Sequence, residues 1–209
     1  MFNWLNQKEL IKSLSQRDLY LNLYLTQGIF LLLTVILSFL FQQNFADWIA
    51  LFHLEWIRII VWSTPVIILV VLIDLILWKK APRRWIDDGG INERIFSDIS
   101  LLHLILITVI IGLCEELLFR GVLQTNIGYV PASLLFALMH IRYITKPVLL
   151  LFAILLSFLL GAIFIFTGNL LIPIFIHIAI DFLLGLFIRY NFLSVRLAKG
   201  IRNHDGNGK

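Results

Sequence analysis

Charged residues are scarce in this chain. Of its 209 residues only 14% are charged, whereas 60% are apolar, and the mean hydropathy is +0.92. An average soluble domain carries about 25% charged residues and about 45–50% apolar ones. Long stretches contain almost no charge, which is typical of segments that lie in lipid. The composition therefore excludes an ordinary soluble domain and predicts an integral membrane protein.

Cysteine is almost absent as well. Cys114 is the one cysteine in the sequence, which excludes an intrachain disulfide framework and a thiolate metal cluster. No short apolar segment is followed by a small-residue cleavage site, so we expect no removable signal peptide. The first span itself would then direct the chain into the membrane.

The apolar windows predict about six transmembrane helices. A spanning helix needs about 20 mostly apolar residues. The candidate windows are about 21–41, 57–78, 99–120 with an extension to about 126, 129–141, 147–167 and 170–190. The fourth window is the weakest because its apolar core is short, and the segment 48–56 is either re-entrant or interfacial. The predicted fold class is an all-α polytopic membrane protein.

Basic residues are confined to alternate connections between these windows. Fifteen of the 17 Lys and Arg residues precede the first span, follow the sixth, or lie in the second-to-third and fourth-to-fifth connections. The positive-inside rule therefore places both termini in the cytoplasm. Anionic lipid headgroups account for the net charge of +4, so we expect the lipid bilayer and no nucleic acid as a partner.

Several ionisable residues interrupt the spans, where a charged side chain costs roughly 2.5–3.5 kcal/mol on insertion scales. Such residues are functional candidates because their burial is so unfavourable. Asp74 is a further candidate near the end of the second span. The main set is Glu115, Glu116, Arg120, His140, His177 and Asp181.

The spacing of these residues suggests how they are paired. Glu116 and Arg120 lie four positions apart on one helix face and are predicted to form a structural ion pair. Glu115 points about 100° away from Glu116 and is left without a local partner. His177 and Asp181 also lie four apart, and a purely structural role in helix packing stays open for them. His140 has the alternative of simply marking a span end.

Taken together, the set predicts hydrolytic chemistry. Isolated burial of these groups would be too unfavourable, so we expect a bundle to collect them around a wet cavity. A glutamate such as Glu115 beside histidines can act as a general base that activates water. His177, or Asp181 when protonated, can donate a hydrogen bond to the oxyanion that develops during peptide hydrolysis.

Three short motifs in this order resemble those of a known family. The segments are Glu115-Glu116-Leu-Leu-Phe-Arg120, Phe136-Ala-Leu-Met-His140 and His177-Ile-Ala-Ile-Asp181. They are similar to the E-E-x-x-x-R, F-x-x-x-H and H-x-x-x-N/D motifs of the CAAX-protease and bacteriocin-processing (CPBP) family of intramembrane peptidases. That family includes type 2 CAAX prenyl endopeptidases and lysostaphin-resistance-like proteins. The resemblance covers about residues 101–185.

The resemblance implies an endopeptidase that cleaves a membrane-associated protein or peptide. Glu115 would activate water with the help of His140, while His177 and Asp181 would stabilise the oxyanion. Glu116 and Arg120 would hold the helix. Prenyl-processing members have asparagine where this chain has Asp181. An aspartate donates a hydrogen bond only when protonated, and its alternative role is to orient His177.

Zinc is the alternative to a metal-free mechanism. Glu115, His140 and His177 would supply a His₂Glu ligand set, although the chain lacks the H-E-x-x-H motif that places two ligands one helical turn apart. We expect a metal-free glutamate mechanism and no other cofactor.

The implied organisation has three parts. Residues 1–98 form an N-terminal region with two spans, 99–190 the catalytic helical core, and 191–209 a basic cytoplasmic tail. The expected location is a bacterial cell membrane. Prenylated Cys-a-a-X proteins, membrane-tethered peptides and bacteriocin-like precursors all remain open as substrates.

Two other functions compete with proteolysis. One is a non-catalytic scaffold that binds a partner membrane enzyme, for example in cell-envelope processing. The other is a small transporter or proton relay, against which the chain shows no inverted repeat.

Overall fold

The computed structural model describes residues 14–86 and 88–190, within which every regular element is a helix. The Lys and Arg residues of segment 1–13 and the predicted basic tail 191–209 lie outside the described residues. The helices are α1 (Gln16–Leu40), α2 (Phe45–Ile49), α3 (Trp56–Lys80), α4 (Arg83–Ile86), α5 (Ile91–Phe96), α6 (Leu101–Glu116), α7 (Thr125–Ile127), α8 (Tyr129–Met139), α9 (Pro147–Thr167) and α10 (Leu171–Arg189). A π-helical segment, Leu117–Gln124, joins α6 to α7, and a 3₁₀ turn, Ile141–Tyr143, follows α8.

Five helices are long and apolar enough to cross a membrane. They are α1, α3, α9, α10 and the continuous helix Leu101–Ile127, which consists of α6, the π segment and α7. The chain is therefore an all-helical integral membrane protein, as the composition predicts. The predicted third span is longer than its core window, because the π segment carries the helix on to Ile127.

The predicted fourth span differs from the others in length. Helix α8 has 11 residues, which gives it a length of about 16 Å against a hydrocarbon core of about 30 Å. It begins after Gly128, whose φ of 94° ends the preceding helix, and it stops at His140. Within the described residues the structure thus contains five candidate spans and one shorter apolar helix, and this helix corresponds to the weakest of the six predicted windows.

One end of the bundle gathers the basic connections. The Tyr20 hydroxyl on α1 donates to the Ile95 carbonyl at 2.8 Å, and Lys146 Nζ donates to the Arg84 carbonyl at 3.3 Å. These contacts bring the start of α1, the α3–α6 connection and the α8–α9 connection to one end, which we call the basic end. Direct contacts thus place these connections on one side of the bundle, as the positions of their basic residues predict.

The opposite end is covered by the segment 48–58, and we call it the covered end. The Leu51 carbonyl accepts from the Leu170 backbone N–H at 2.8 Å, and Asn169 Nδ2 donates to the His53 carbonyl at 2.6 Å. The Trp48 ring lies against Gly121 of the π segment, where an added Cβ would meet it at 2.8 Å. This segment therefore packs across the ends of the Leu101–Ile127 helix and α10.

Close packing of α6 against α10 depends on Gly112. A Cβ at this buried position would lie 2.6 Å from Ile178 Cγ1 and 3.1 Å from the Ile178 backbone nitrogen. Because backbone cannot move aside as a side chain does, we expect Gly112→Ala to lower the free energy of unfolding by about 1–3 kcal/mol. Thermal unfolding in detergent would measure this change.

Gly28 on α1 provides the matched control, because a Cβ there meets nothing within 4 Å. Gly28→Ala is expected to leave stability unchanged or to raise it by about 0.5–1 kcal/mol through helix propensity. Equal effects of the two substitutions would contradict the packing explanation.

Candidate active site

The two adjacent glutamates lie where the third long helix changes its geometry. Glu115 and Glu116 are the last residues of α6, and the π segment begins directly after them. Glu116 is fully buried, and Arg120 in the first turn of the π segment is only 1% exposed. π-Helical turns occur frequently at functional sites, because they change the direction of side chains along a helix.

Glu116 is the centre of a buried polar network. Its Oε1 accepts from Arg120 Nη1 at 3.0 Å and from His177 Nδ1 at 2.8 Å. The other terminal nitrogen of Arg120 donates to the Ser157 carbonyl on α9 at 2.9 Å. The ion pair expected from the spacing is therefore present, and it also links α6 to α9 and α10.

His177 is oriented by Glu116. Because Nδ1 donates to Glu116, the other ring nitrogen, Nε2, faces Glu115 and Asp181. Nε2 lies 4.0 Å from Glu115 Oε2 and 3.7 Å from Asp181 Oδ2, and both distances exceed that of a hydrogen bond. The contact that orients the imidazole thus comes from Glu116. Asp181, whose alternative role was to orient His177, lies too far from Nε2 for a hydrogen bond.

Glu115 has a partner that the sequence motifs do not indicate. Its Oε1 accepts from Gln27 Nε2 at 3.1 Å, and Gln27 is a buried residue of α1 with 5% exposure. Gln27 is uncharged, so it does not stand out among the ionisable residues of the spans. The available signal was a glutamine within an apolar span, since polar side chains there are costly unless they find partners.

His140 lies beside this cluster without bonding to it. It ends α8, its Nδ1 lies 3.1 Å from the Phe136 carbonyl, and its ring stacks on the Phe136 ring at 5.0 Å. The same Phe136 ring packs edge-on against His177 at 6.0 Å and lies 4.5 Å from the Arg120 guanidinium carbon. Both histidines thus contact the same aromatic ring, and no hydrogen bond joins His140 to Glu115 among the described residues.

These side chains lie near the middle of the bundle. Gln27, Glu115 and Asp181 are each roughly 15–21 Å along their helices from the end at which the helix begins, at about 1.5 Å per residue. The Asp181 side chain retains 29% exposure and lies one helical turn nearer to the basic end than His177. Segment 48–58 covers the opposite end. The partly exposed Asp181 thus lies on the basic-end side of His177.

The positions of Glu115, His140 and His177 bear on the zinc alternative. Within residues 14–86 and 88–190, no three His, Cys, Asp or Glu side chains are arranged to hold a metal ion. The arrangement of Glu115, His140 and His177 does not fit the His₂Glu zinc set in this structure.

A comparison with protein families assigns these residues to a known group. The family model described as "Type II CAAX prenyl endopeptidase Rce1-like" matches residues 97–183, a range that contains all three motifs. The chain belongs to this family. Gln27 lies outside the range of residues that match the Rce1-like model.

Other comparisons add a relative but no solved structure. An "Uncharacterized protein YpbD" of Bacillus subtilis (strain 168) is 39% identical over 166 residues, which cover 79% of this chain and 88% of the relative. No solved structure matches the chain. Membership in the Rce1-like family makes the chain a member of a membrane protease family, with a membrane-associated substrate as the expected partner.

Proposed function

We propose that this chain is an intramembrane endopeptidase in which Glu115 activates a water molecule. The observation that carries the proposal is the arrangement around Glu115. One oxygen accepts from Gln27 at 3.1 Å, and the other lies 4.0 Å from His177 Nε2, the ring nitrogen that Glu116 leaves free. A carboxylate beside an oriented imidazole provides a base and a hydrogen-bond donor at one place.

The proposed reaction assigns a step to each of these groups. Glu115 takes a proton from water as the water oxygen bonds to the substrate carbonyl carbon. His177, with a proton on Nε2, donates to the oxygen that becomes negatively charged. The carbon–nitrogen bond then breaks, and Glu115 passes its proton to the leaving amine nitrogen. Water is consumed, and the products are a carboxylic acid and an amine, which become a carboxylate and an ammonium group when the acid proton passes to the amine.

His140 and Asp181 have supporting parts in this proposal. When His140 donates Nδ1–H to the Phe136 carbonyl, its Nε2 is left as an acceptor that can help to orient the attacking water. Asp181 lies on the Nε2 side of His177 and can donate to the oxyanion when it carries a proton. An ionised Asp181 would instead keep the proton on His177 Nε2.

The substrate is proposed to reach the site from the basic end. Asp181 and His140 are partly exposed, and the basic residues Arg142 and Lys146 follow His140 within six positions. By the positive-inside rule this end lies in the cytoplasm. The family description names prenylated Cys-a-a-X chains as a substrate class, so a farnesylated peptide ending in Cys-a-a-X is the first probe.

Reconstitution tests the proposal directly. Purified protein in liposomes would be incubated with a farnesylated Cys-a-a-X peptide and, separately, with an acylated peptide that lacks the prenyl group. Mass spectrometry would identify the released fragments, and protein-free liposomes are the control. Cleavage at one defined bond supports the proposal. Failure of a folded, monodisperse preparation to cleave either peptide would favour the scaffold function, in which the Rce1-like fold binds a partner membrane enzyme.

Chelation should leave the reaction intact. Because the three candidate ligands do not fit a zinc set, we expect dialysis against EDTA or phenanthroline to change the cleavage rate by less than about twofold, against the tenfold or greater loss typical of a disturbed metal site. The same treatment of a zinc metalloprotease is the positive control. Complete loss that added zinc restores would overturn the glutamate mechanism.

A further inference from the structure

Gln27 is a buried polar residue that no motif of the chain explains. It lies on α1, 88 residues before Glu115 in the sequence, and outside the range 97–183 that matches the family. Its exposure is 5%. Placing an amide at this depth is unfavourable unless hydrogen bonds compensate for it. Insertion of the spanning helix α1 therefore does not explain why the buried position 27 carries an amide.

The two ends of the amide are in different situations. Nε2 donates to Glu115 Oε1 at 3.1 Å, while Oε1 is buried and has no hydrogen-bond partner among the described residues. An unpaired buried acceptor costs about 1–3 kcal/mol. The donor of the amide is thus committed to Glu115, and its acceptor has capacity for a further hydrogen bond.

Other contacts already hold α1 against the bundle. The Phe30 ring packs edge-on against Phe119 at 5.9 Å, and the Tyr24 hydroxyl is 2.8 Å from His103 Nε2. Gln43 Nε2 donates to the Gly121 carbonyl at 3.1 Å, beyond the end of the helix. Contacts at the middle and at both ends thus dock α1 without Gln27, so docking does not account for this residue.

An amide suits a neighbour that gains and loses a proton. Its NH₂ group donates to a carboxylate, and after a half-turn about the last side-chain bond its oxygen accepts from a carboxylic acid. The unpaired Oε1 is the acceptor that the second state requires. Gln27 can therefore hold Glu115 in one position both before and after Glu115 takes a proton from water.

We propose that Gln27 is a positioning residue of the active site, which holds the Glu115 carboxyl group in both of its protonation states. This inference rests on the proposed peptidase function. The first spanning helix then supplies a part of the site, although the family match begins only at residue 97. The hydrogen bond between Gln27 and Glu115 joins the first spanning helix to the matched region across 88 positions of sequence.

Gln27→Met removes both polar atoms with little change in shape. If Gln27 positions Glu115, kcat on the cleaved peptide should fall about 10–100-fold, the range seen when groups that orient a catalytic residue are removed, while KM stays within about twofold. Gln27→Glu, which has no donor when ionised, should show the same loss. Thr34→Val is the matched control, because Thr34 lies buried on the same helix and bonds only to the Phe30 carbonyl.

The kinetic outcomes separate this role from the alternatives. A kcat within twofold of wild type for both Gln27 variants, together with an inactive Glu115→Gln, would overturn the inference and leave the peptidase proposal intact. A rise in KM at unchanged kcat would also overturn it, since that result indicates direct substrate contact. Loss of stability with normal kcat in the folded fraction would show a structural role only.

Infrared difference spectroscopy tests the same contact without any substrate. Subtracting the spectrum of Glu115→Gln from that of wild type isolates the carboxyl bands of Glu115. We expect these bands to shift when the same subtraction is made in the Gln27→Met background, and to stay in place in the Thr34→Val background. Unshifted bands in Gln27→Met would overturn the inference even if the chain proved to cleave neither peptide.

Discussion

Glu115→Gln is expected to lower kcat/KM for peptide cleavage by about 10²–10⁴-fold, the usual contribution of a general base. Glutamine has the shape of glutamate but cannot take the proton from the attacking water. The exchange removes a charge from a side chain that is only 8% exposed, so the folded protein should persist at normal levels. Cleavage assays in liposomes and the amount of monodisperse protein after purification measure the two effects.

Asp74→Asn is the matched control for this experiment. Asp74 is a half-buried acid on the spanning helix α3, outside the group of residues around Glu115. The same loss of a carboxylate there should leave the cleavage rate within about twofold of wild type, since surface and distant substitutions have small effects. Retained cleavage by Glu115→Gln would eliminate Glu115 as the base. An equal loss in Asp74→Asn would point to a general effect of charge in the spans.

Arg120→Met should lower the free energy of unfolding by about 3–5 kcal/mol, because it leaves the Glu116 carboxylate buried without its cationic partner. Glu116 is fully buried and Arg120 is 1% exposed, so solvent cannot replace the lost interaction. The substitution also removes the bond from Arg120 Nη2 to the Ser157 carbonyl. Unfolding in mixed micelles, followed by circular dichroism or tryptophan fluorescence, would measure the change.

An exposed pair on another helix serves as the comparison. Arg58 Nη1 lies 3.1 Å from Glu55 Oε2, with side-chain exposures of 41% and 50%. Ion pairs of this kind contribute about 0–1 kcal/mol, and the bond from Arg58 Nη2 to the Thr167 carbonyl adds about 0.5–1.5 kcal/mol, so Arg58→Met should cost less than Arg120→Met. The double substitution Glu116→Gln with Arg120→Met should recover part of the lost stability by removing the uncompensated charge. Equal costs for Arg58→Met and Arg120→Met would contradict the assignment of a buried ion pair.

The membrane character of the chain was predictable from composition, because a helix that spans lipid must be mostly apolar whatever the order of its residues. The window 129–141, the weakest of the six, forms an 11-residue helix that is shorter than the five candidate spans. Hydropathy reports whether a segment avoids water but does not report where the backbone stops being helical. Gly128, with a φ of 94°, marks one of those ends, and a window average does not register a single glycine.

Spacing along one helix predicted the pair of Glu116 with Arg120, because the geometry of a helix places residues four apart on one face. The π segment that begins at Leu117 was not predictable in this way. Apart from Gly121, the segment consists of ordinary helix-forming residues. The orientation of His177 by Glu116 was likewise hidden, since the spacing suggested Asp181 as its nearest carboxylate.

The sequence by itself determined the membrane class, the family and the identity of the six motif residues, since these depend on composition and on short spacings. The tertiary structure alone decided which residues of different helices are in contact. The bond between Glu116 and His177 spans 61 positions, and that between Glu115 and Gln27 spans 88. Contacts over such separations depend on how α1, α6 and α10 pack against one another. Local helix geometry carries no information about that packing.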